Sequence, residues 1–304
     1  MGDVHATDNR WVKCISTEGN LRGIAIQATG LVKDLAALHG LKGAAAQGMG
    51  EAILGALLLS SHCKVGERIN LNIQGSGDFV QALVDAYPDG RVRGYVVERS
   101  VGSQAGENGK DGIVIGPWGE GLLSVLRTKD QAGQQPYIGT VPLLTGHLAK
   151  DLTFYWLQSE QIPSSVGIFV HCDEQKNIRR ADAFLVQVLP GASPAEIKQI
   201  ERHINEMTDA QKLGAEITPM QFLSQIFQST AFMIVEERVV QSTCTCSWER
   251  VTRALTLVGV KELKAMLIED QAASVRCDFC TKEYKVDAEG LQKLIDSAAS
   301  PAGS

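Results

Sequence analysis

Apolar residues in the first two-thirds of the chain come in short runs bounded by Gly, Pro, Asp or Asn, the punctuation of strands and turns. Runs of this kind predict strands over 21–27, 68–74, 80–86, 91–97, 138–144, 166–171 and 183–189. Two stretches carry helical patterning instead. Residues 44–61 are rich in Ala and Leu, and Leu148, Leu152, Tyr155 and Trp156 share one side of a helix over 148–158. The strands gather on both sides of these helices without alternating with them, which predicts a large, mainly antiparallel α+β domain over residues 1–190.

After Leu189-Pro190-Gly191 the pattern changes. Ser193-Pro194-Ala195-Glu196 reads as a capping box with proline at the first helical position, and Ile197, Ile200, Ile204 and Met207 then form one narrow apolar stripe. Thr218-Pro219-Met220-Gln221 starts a second helix whose apolar face is Phe222, Leu223, Ile226 and Phe227. Together these segments predict a helical linker over 191–240. Taken alone, the residues favour both stripes packing on the large domain. A small tail domain follows over 241–304, with a helix around Glu262, Leu263, Met266 and Leu267, strands over 274–276 and 284–286, a last helix carrying Leu291, Leu294 and Ile295, and frayed residues 300–304.

Composition narrows the class. With 304 residues, 44% hydrophobic and 21% charged, the chain has enough apolar side chain for at least two folded units and too little charge for disorder. Its longest apolar stretch, 52–59, falls far short of the roughly 18–20 residues that a bilayer span needs. A net charge of −6 argues against generic attraction to nucleic acid or anionic lipid. The N-terminal residues have no basic and apolar leader, and seven cysteines, an odd number, read as reduced thiols. The expectation is a cytoplasmic protein binding neither nucleic acid nor membrane.

Four of the cysteines fall in the tail as Cys244-Thr245-Cys246 and Cys277-Asp278-Phe279-Cys280. Two close thiol pairs far apart in sequence suit a tetrahedral site, each pair spanning one edge, and an all-thiolate set favours zinc. Cys-x-x-Cys between two short strands has knuckle spacing; the Cys-x-Cys half is tighter than usual. Such a zinc is a structural staple in one reading, since a domain this small is marginal without one. In another it is a switch, because oxidising the thiolates to disulfides removes the ligands. Spacing leaves both open. Other local patterns carry less: Gly75-Ser76-Gly77 is a turn, Gly109-Lys110-Asp111 lacks the residues of a phosphate loop, and His171-Cys172 point to opposite faces of a strand. Cys14, Cys63 and Cys172 read as ordinary thiols.

The cysteine set, with Ser247-Trp248-Glu249-Arg250 after the first pair and Tyr284 after the second, closely resembles the zinc motif of the bacterial 33 kDa chaperonin family, the redox-regulated heat-shock holdases. Further likenesses are Ile73-Gln74-Gly75 with Gly77, Gly90-Arg91-Val92-Arg93-Gly94-Tyr95, Ser159-Glu160-Gln161-Ile162-Pro163 and Val186-Gln187-Val188-Leu189-Pro190-Gly191-Ala192, so the resemblance spans roughly 21–295. Departures fall at Ala181-Asp182-Ala183, at Gly40-Leu41-Lys42-Gly43 and in the glycine-rich stretch 102–112.

The resemblance implies a molecular chaperone and no enzyme, inactive when reduced with one zinc per chain on Cys244, Cys246, Cys277 and Cys280. It implies that peroxide or hypochlorite, with unfolding conditions such as heat, pairs Cys244 with Cys246 and Cys277 with Cys280, releases the metal and melts tail and linker. The active form it implies is a homodimer that holds unfolding client proteins without ATP. Ile197, Ile200, Ile204, Met207, Phe222, Leu223, Ile226 and Phe227 are the candidate client-binding residues. Two other readings compete: a constitutive zinc-stapled adaptor for protein or nucleic acid, and a thiol-disulfide enzyme using Cys277 and Cys280, which would want a thioredoxin-like βαβ context that the sequence lacks.

Overall fold

A helix that is apolar around its whole circumference must be covered on every side, and the Ala/Leu-rich segment meets that requirement between two sheets. The computed structural model describes residues 9–99, 116–129, 135–212, 217–228 and 230–299. The chain divides into two units, Met1–Thr243 and Cys244–Ser304. In the first, the elements run β1 (Asn9–Ser16), β2 (Leu21–Ala28), α1 (Thr29–His39), α2 (Ala44–Ser60), β3 (Glu67–Gly75), β4 (Phe79–Ala86), β5 (Arg91–Glu98), β6 (Gly121–Lys129), β7 (Tyr137–Leu143), α3 (Leu148–Gln158), β8 (Ser164–Cys172), β9 (Ile178–Val188), α4 (Pro194–Lys212), α5 (Pro219–Phe227), β10 (Phe232–Val239) and β11 (Gln241–Ser242). The second holds α6 (Trp248–Val258), α7 (Val260–Glu269), β12 (Ala272–Arg276), β13 (Glu283–Asp287) and α8 (Ala288–Ala299). The α+β, mainly antiparallel class read from the sequence is the one observed.

One sheet has the order β10-β1-β2-β9-β8 and is antiparallel throughout; the other, β11-β5-β4-β3-β6-β7, is antiparallel except where β11 joins β5. Helix α2 lies between them, its Met49, Ile53, Leu54, Leu57 and Leu58 in one core with Ile24, Ile26, Ala183 and Leu185 of the first sheet and Ile69, Leu71, Ile73 and Val84 of the second. Close approach is possible because Gly48 has no Cβ; one built there would lie 2.6 Å from the Phe79 ring. Among the described residues no helix is long and apolar enough to cross a membrane.

Strand β9 is apolar on both faces from Ala183 to Val186 because both are covered there. Its Ala183 and Leu185 face α2, while Phe184 and Val186 join Val12, Cys14, Leu21, Ala25 and Phe169 in a second core beneath α4 and α5. That second core takes in Ile200, Ile204, Met207, Phe222, Leu223, Ile226 and Phe227, all buried; Ile197 is half-buried beside them. Both start signals are real. Ser193 Oγ accepts the Glu196 amide (3.3 Å) while Glu196 accepts the Ser193 amide (2.8 Å), and Thr218 and Gln221 form the same reciprocal pair. The expected helical linker over 191–240 is helical only as far as Phe227. Residues Phe232–Val239 form β10, paired with β1, so the chain leaves the first sheet after β9 and returns to it at β10.

A polar cluster sits at the C-terminal end of α2. His62 Nε2 lies 2.7 Å from Gln187 Oε1, which also accepts from Arg22, and Lys13 Nζ donates to the Ser61 carbonyl at 3.2 Å. Burial, and then the neighbouring Arg22, hold the imidazole down from the ordinary 6.5 to about 4. The unfolded chain therefore takes this proton first. The stability due to neutral His62 is complete above about pH 6.5 and is lost as pH falls toward 4. Chemical denaturation across that window is expected to show a shallower pH slope for His62→Gln than for the parent; identical slopes would contradict it.

Candidate metal centre

The four tail cysteines arrive from two directions. Cys244 and Cys246 lie in the extended stretch before α6, whose first turn is capped by Ser247 Oγ accepting the Arg250 amide (3.4 Å); Arg250 Nη1 in turn donates to Thr245 Oγ1 at 2.7 Å. Cys277 and Cys280 occupy the turn joining β12 to β13, which pair antiparallel from Ala272–Asp287 to Arg276–Glu283. The Cys277 amide donates to the Lys282 carbonyl (3.0 Å) and the Thr281 amide to the Cys277 carbonyl (2.8 Å), with Thr281 in the left-handed region at φ 58°. This tight turn aims both thiols to one side. Amides of Cys280 and Phe279 point at Cys277 Sγ and that of Lys282 at Cys280 Sγ.

All four Sγ atoms lie within 4.8 Å of one another. The separations Cys244–Cys277 and Cys246–Cys280 are 3.7 and 3.4 Å, against about 3.8 Å for sulfurs on a tetrahedral metal with bonds of about 2.3 Å. The electrostatics agree with the geometry. Burial works against the Cys246 thiolate, but hydrogen bonds from Tyr284 and the other three thiols outweigh it and bring that group down to about 7. Burial and the neighbouring sulfurs push Cys280 up to about 12, and burial raises Cys277. Thiols this close ionise together only with a cation among them, and the amide donors already favour the charged form. The residues present fit a four-thiolate metal site, and their softness fits zinc.

The sequence reading finds the four converging cysteines and Tyr284 but not what Tyr284 does. Its hydroxyl donates to Cys246 Sγ at 3.1 Å, a tertiary contact between β13 and the segment before α6, 38 residues away in sequence. The remaining cysteines stand apart: Cys14 is fully buried, Cys63 and Cys172 are half-buried, and burial raises all three thiols, Cys14 to about 12 and Cys63 to about 11. Gly75-Ser76-Gly77 forms the β3–β4 turn as expected. Gly109-Lys110-Asp111, the stretch 102–112 and residues 300–304 lie outside the described residues. The eight apolar linker positions are on the first unit, seven of them closed off in its second core.

A family model described as Hsp33 protein matches residues 9–287. A 33 kDa chaperonin of Geobacter sulfurreducens is 36% identical over 287 residues, covering 94% of this chain and 94% of the relative. Another, of Shouchella clausii, is 33% identical over 290 residues, covering 95% and 98%. The crystal structure of a 33 kDa chaperonin from Thermotoga maritima superposes with a TM-score of 0.83 at 28% identity, covering 95% of this chain and 98% of that one.

Proposed function

Since this chain belongs to the Hsp33 family of 33 kDa chaperonins, we propose that it is a redox-gated, ATP-independent holdase whose sensor is Cys244, Cys246, Cys277 and Cys280. The observation that carries the reading is the convergence of those four sulfurs within 4.8 Å in a unit whose buried core, among the described residues, is Val251, Leu255, Leu263, Tyr284, Val286, Leu291 and Ile295. Zinc, when bound, supplies the cross-link that so small a core needs. Peroxide oxidises each thiolate pair to a disulfide, consuming two protons and giving two waters, and no ligand set remains. Sulfur separations alone permit crossed pairing as readily as pairing of neighbours. The family resemblance supports Cys244 with Cys246 and Cys277 with Cys280.

In the first unit, α4 and α5 form an excursion between two strands of one sheet, so they can leave without unpairing either strand. Their release, with the second unit unfolded, would present Ile197, Ile200, Ile204, Met207, Phe222, Leu223, Ile226 and Phe227 to unfolding clients, and Phe169, Phe184 and Val186 beneath them. Exposed apolar surface of this kind also favours self-association, which supports a homodimer as the oxidised form. The compartment this implies is the reducing cytoplasm.

The test is zinc release, followed with a chromogenic chelator while the reduced protein meets peroxide at ordinary and raised temperature. Suppression of citrate synthase aggregation is assayed in parallel, and disulfides are mapped by mass spectrometry. One zinc released per chain, in step with newly gained suppression, is the expected result; retained zinc with unchanged activity would reduce the site to a staple.

A further inference from the structure

The four sulfurs of the centre are not held alike. Backbone amides point at Cys277 and Cys280, donors that the turn provides whatever its side chains. Cys246 receives a side-chain donor, the Tyr284 hydroxyl at 3.1 Å. That phenol is fixed in place. Tyr284 is buried, its ring tilts against Trp248 with centroids 6.1 Å apart, and Lys282 Nζ stands 4.8 Å from its centroid, over the ring. A cation over the ring draws electron density from the hydroxyl and strengthens it as a donor.

We propose that Tyr284 is a positioning residue that restrains Cys246, holding the centre closed at low oxidant concentration. The inference rests on the redox reading above and adds the residue that sets its threshold. Oxidation by a hydroperoxide begins when a sulfur lone pair attacks the outer peroxide oxygen: the S–O bond forms, the O–O bond breaks, and the leaving oxygen takes a proton from water. The sulfenic acid then meets the Cys244 thiolate, forming S–S and releasing hydroxide, which is protonated to water. A hydrogen bond to the attacking sulfur ties up the charge that this first step uses, so the restrained sulfur reacts more slowly.

The experiment uses the full-length, reduced, zinc-loaded chain with Tyr284→Phe, which keeps the ring and removes only the donor, and Lys282→Gln, which keeps the hydroxyl and removes the cation. Alkylation by iodoacetamide, mapped at each cysteine by mass spectrometry, reads the same lone pair without oxidation; zinc release by peroxide is measured alongside. Tyr284→Phe is expected to speed alkylation of Cys246 about tenfold, the kinetic equivalent of one hydrogen bond to a charged acceptor, with smaller changes at Cys277 and Cys280. Zinc release should quicken by a similar factor, and Lys282→Gln should fall between. Wild-type alkylation at Cys246 would overturn the proposal, as would equal acceleration at all four sulfurs, which marks general loosening. Failure of peroxide to release zinc from any of the proteins, with Cys246 still selectively faster, would sink the redox reading and leave the restraint standing.

Discussion

Stripping the metal from the reduced protein, or replacing one ligand as in Cys277→Ser, is expected to unfold residues 244–304 and leave the α2 core of the first unit folded. Structural zinc in sites of this kind contributes about 10–16 kcal/mol, comparable to the whole ~5–15 kcal/mol stability of an ordinary domain. The seven buried side chains of the second unit cannot replace that. Three of them, Val251, Leu255 and Leu263, come from α6 and α7; α7 meets β12, and Trp248 of α6 lies against Tyr284 of β13, on the hairpin whose turn holds Cys277 and Cys280. The first unit is held by a far larger core around α2. Far-UV circular dichroism should lose the helical signal of α6, α7 and α8, and limited proteolysis should cut beyond residue 243. Near-UV signals of the buried Trp11, Trp118 and Trp156 should persist while that of Trp248 is lost. Cys14→Ser, which changes a buried thiol outside the centre, serves as control. Retention of the full helical signal after complete metal removal would show that the unit stands on its own core.

Reading the chain in advance succeeded where one residue type or one period decides the outcome. Cysteine identity and spacing alone picked out the four side chains that converge, and the capping residues Ser193 and Thr218 marked α4 and α5. Elsewhere the deciding contact is tertiary. Helix α1 has Ala28 at its N-cap with no side-chain hydrogen bond, so nothing announces its start. Strand β10 opens Phe-Met-Ile-Val, an unbroken apolar run that conceals its alternation: Phe232 and Ile234 pack toward the second core while Met233 and Val235 stay exposed. Helix α6 carries Trp248, Val251, Leu255 and Val258 along one side, a stripe the sequence reading passed over, and of these only Val251 and Leu255 are buried. Strand β1 mixes charged and apolar residues, and its Lys13 is tolerated because the Ser61 carbonyl at the end of α2 accepts from it. Tyr284 shows the same limit at the centre, since its partner Cys246 comes from a segment 38 residues away.

Gly23→Val is expected to lift α5 from the sheet and open Cys14 to alkylation while the cysteine centre remains reduced and loaded. Gly23 pairs with Cys14 on one side and Val186 on the other, and its missing side chain is where α5 seats. A Cβ there would lie 2.6 Å from the Phe227 ring, 2.8 Å from Cys14 Sγ and 3.0 Å from Leu223. Valine suits a strand, so the helix is the partner that gives way. Overpacking of this kind costs about 1–3 kcal/mol, or roughly 5- to 150-fold in a docking equilibrium by the same RT conversion that makes 1.4 kcal/mol tenfold. Docking already carries a burden, because the linker covers the Arg180–Asp182 ion pair, from which Arg180 Nη2 reaches the Ile217 carbonyl at 3.3 Å. A charged pair regains its hydration when uncovered, which lowers the cost of release. Cys14 is the reporter for it: fully buried, its thiol pushed up to about 12, it is inert while α5 is seated. Mass-mapped alkylation should accelerate at Cys14 at least tenfold in Gly23→Val and less in Gly23→Ala, with Cys63 and Cys172 as internal references and hydrophobic-dye binding rising in parallel. Labelling of Cys14 at the parent rate in both variants, with dye binding unchanged, would mean that α5 is a permanent part of the core and that Phe222, Leu223, Ile226 and Phe227 never meet a client.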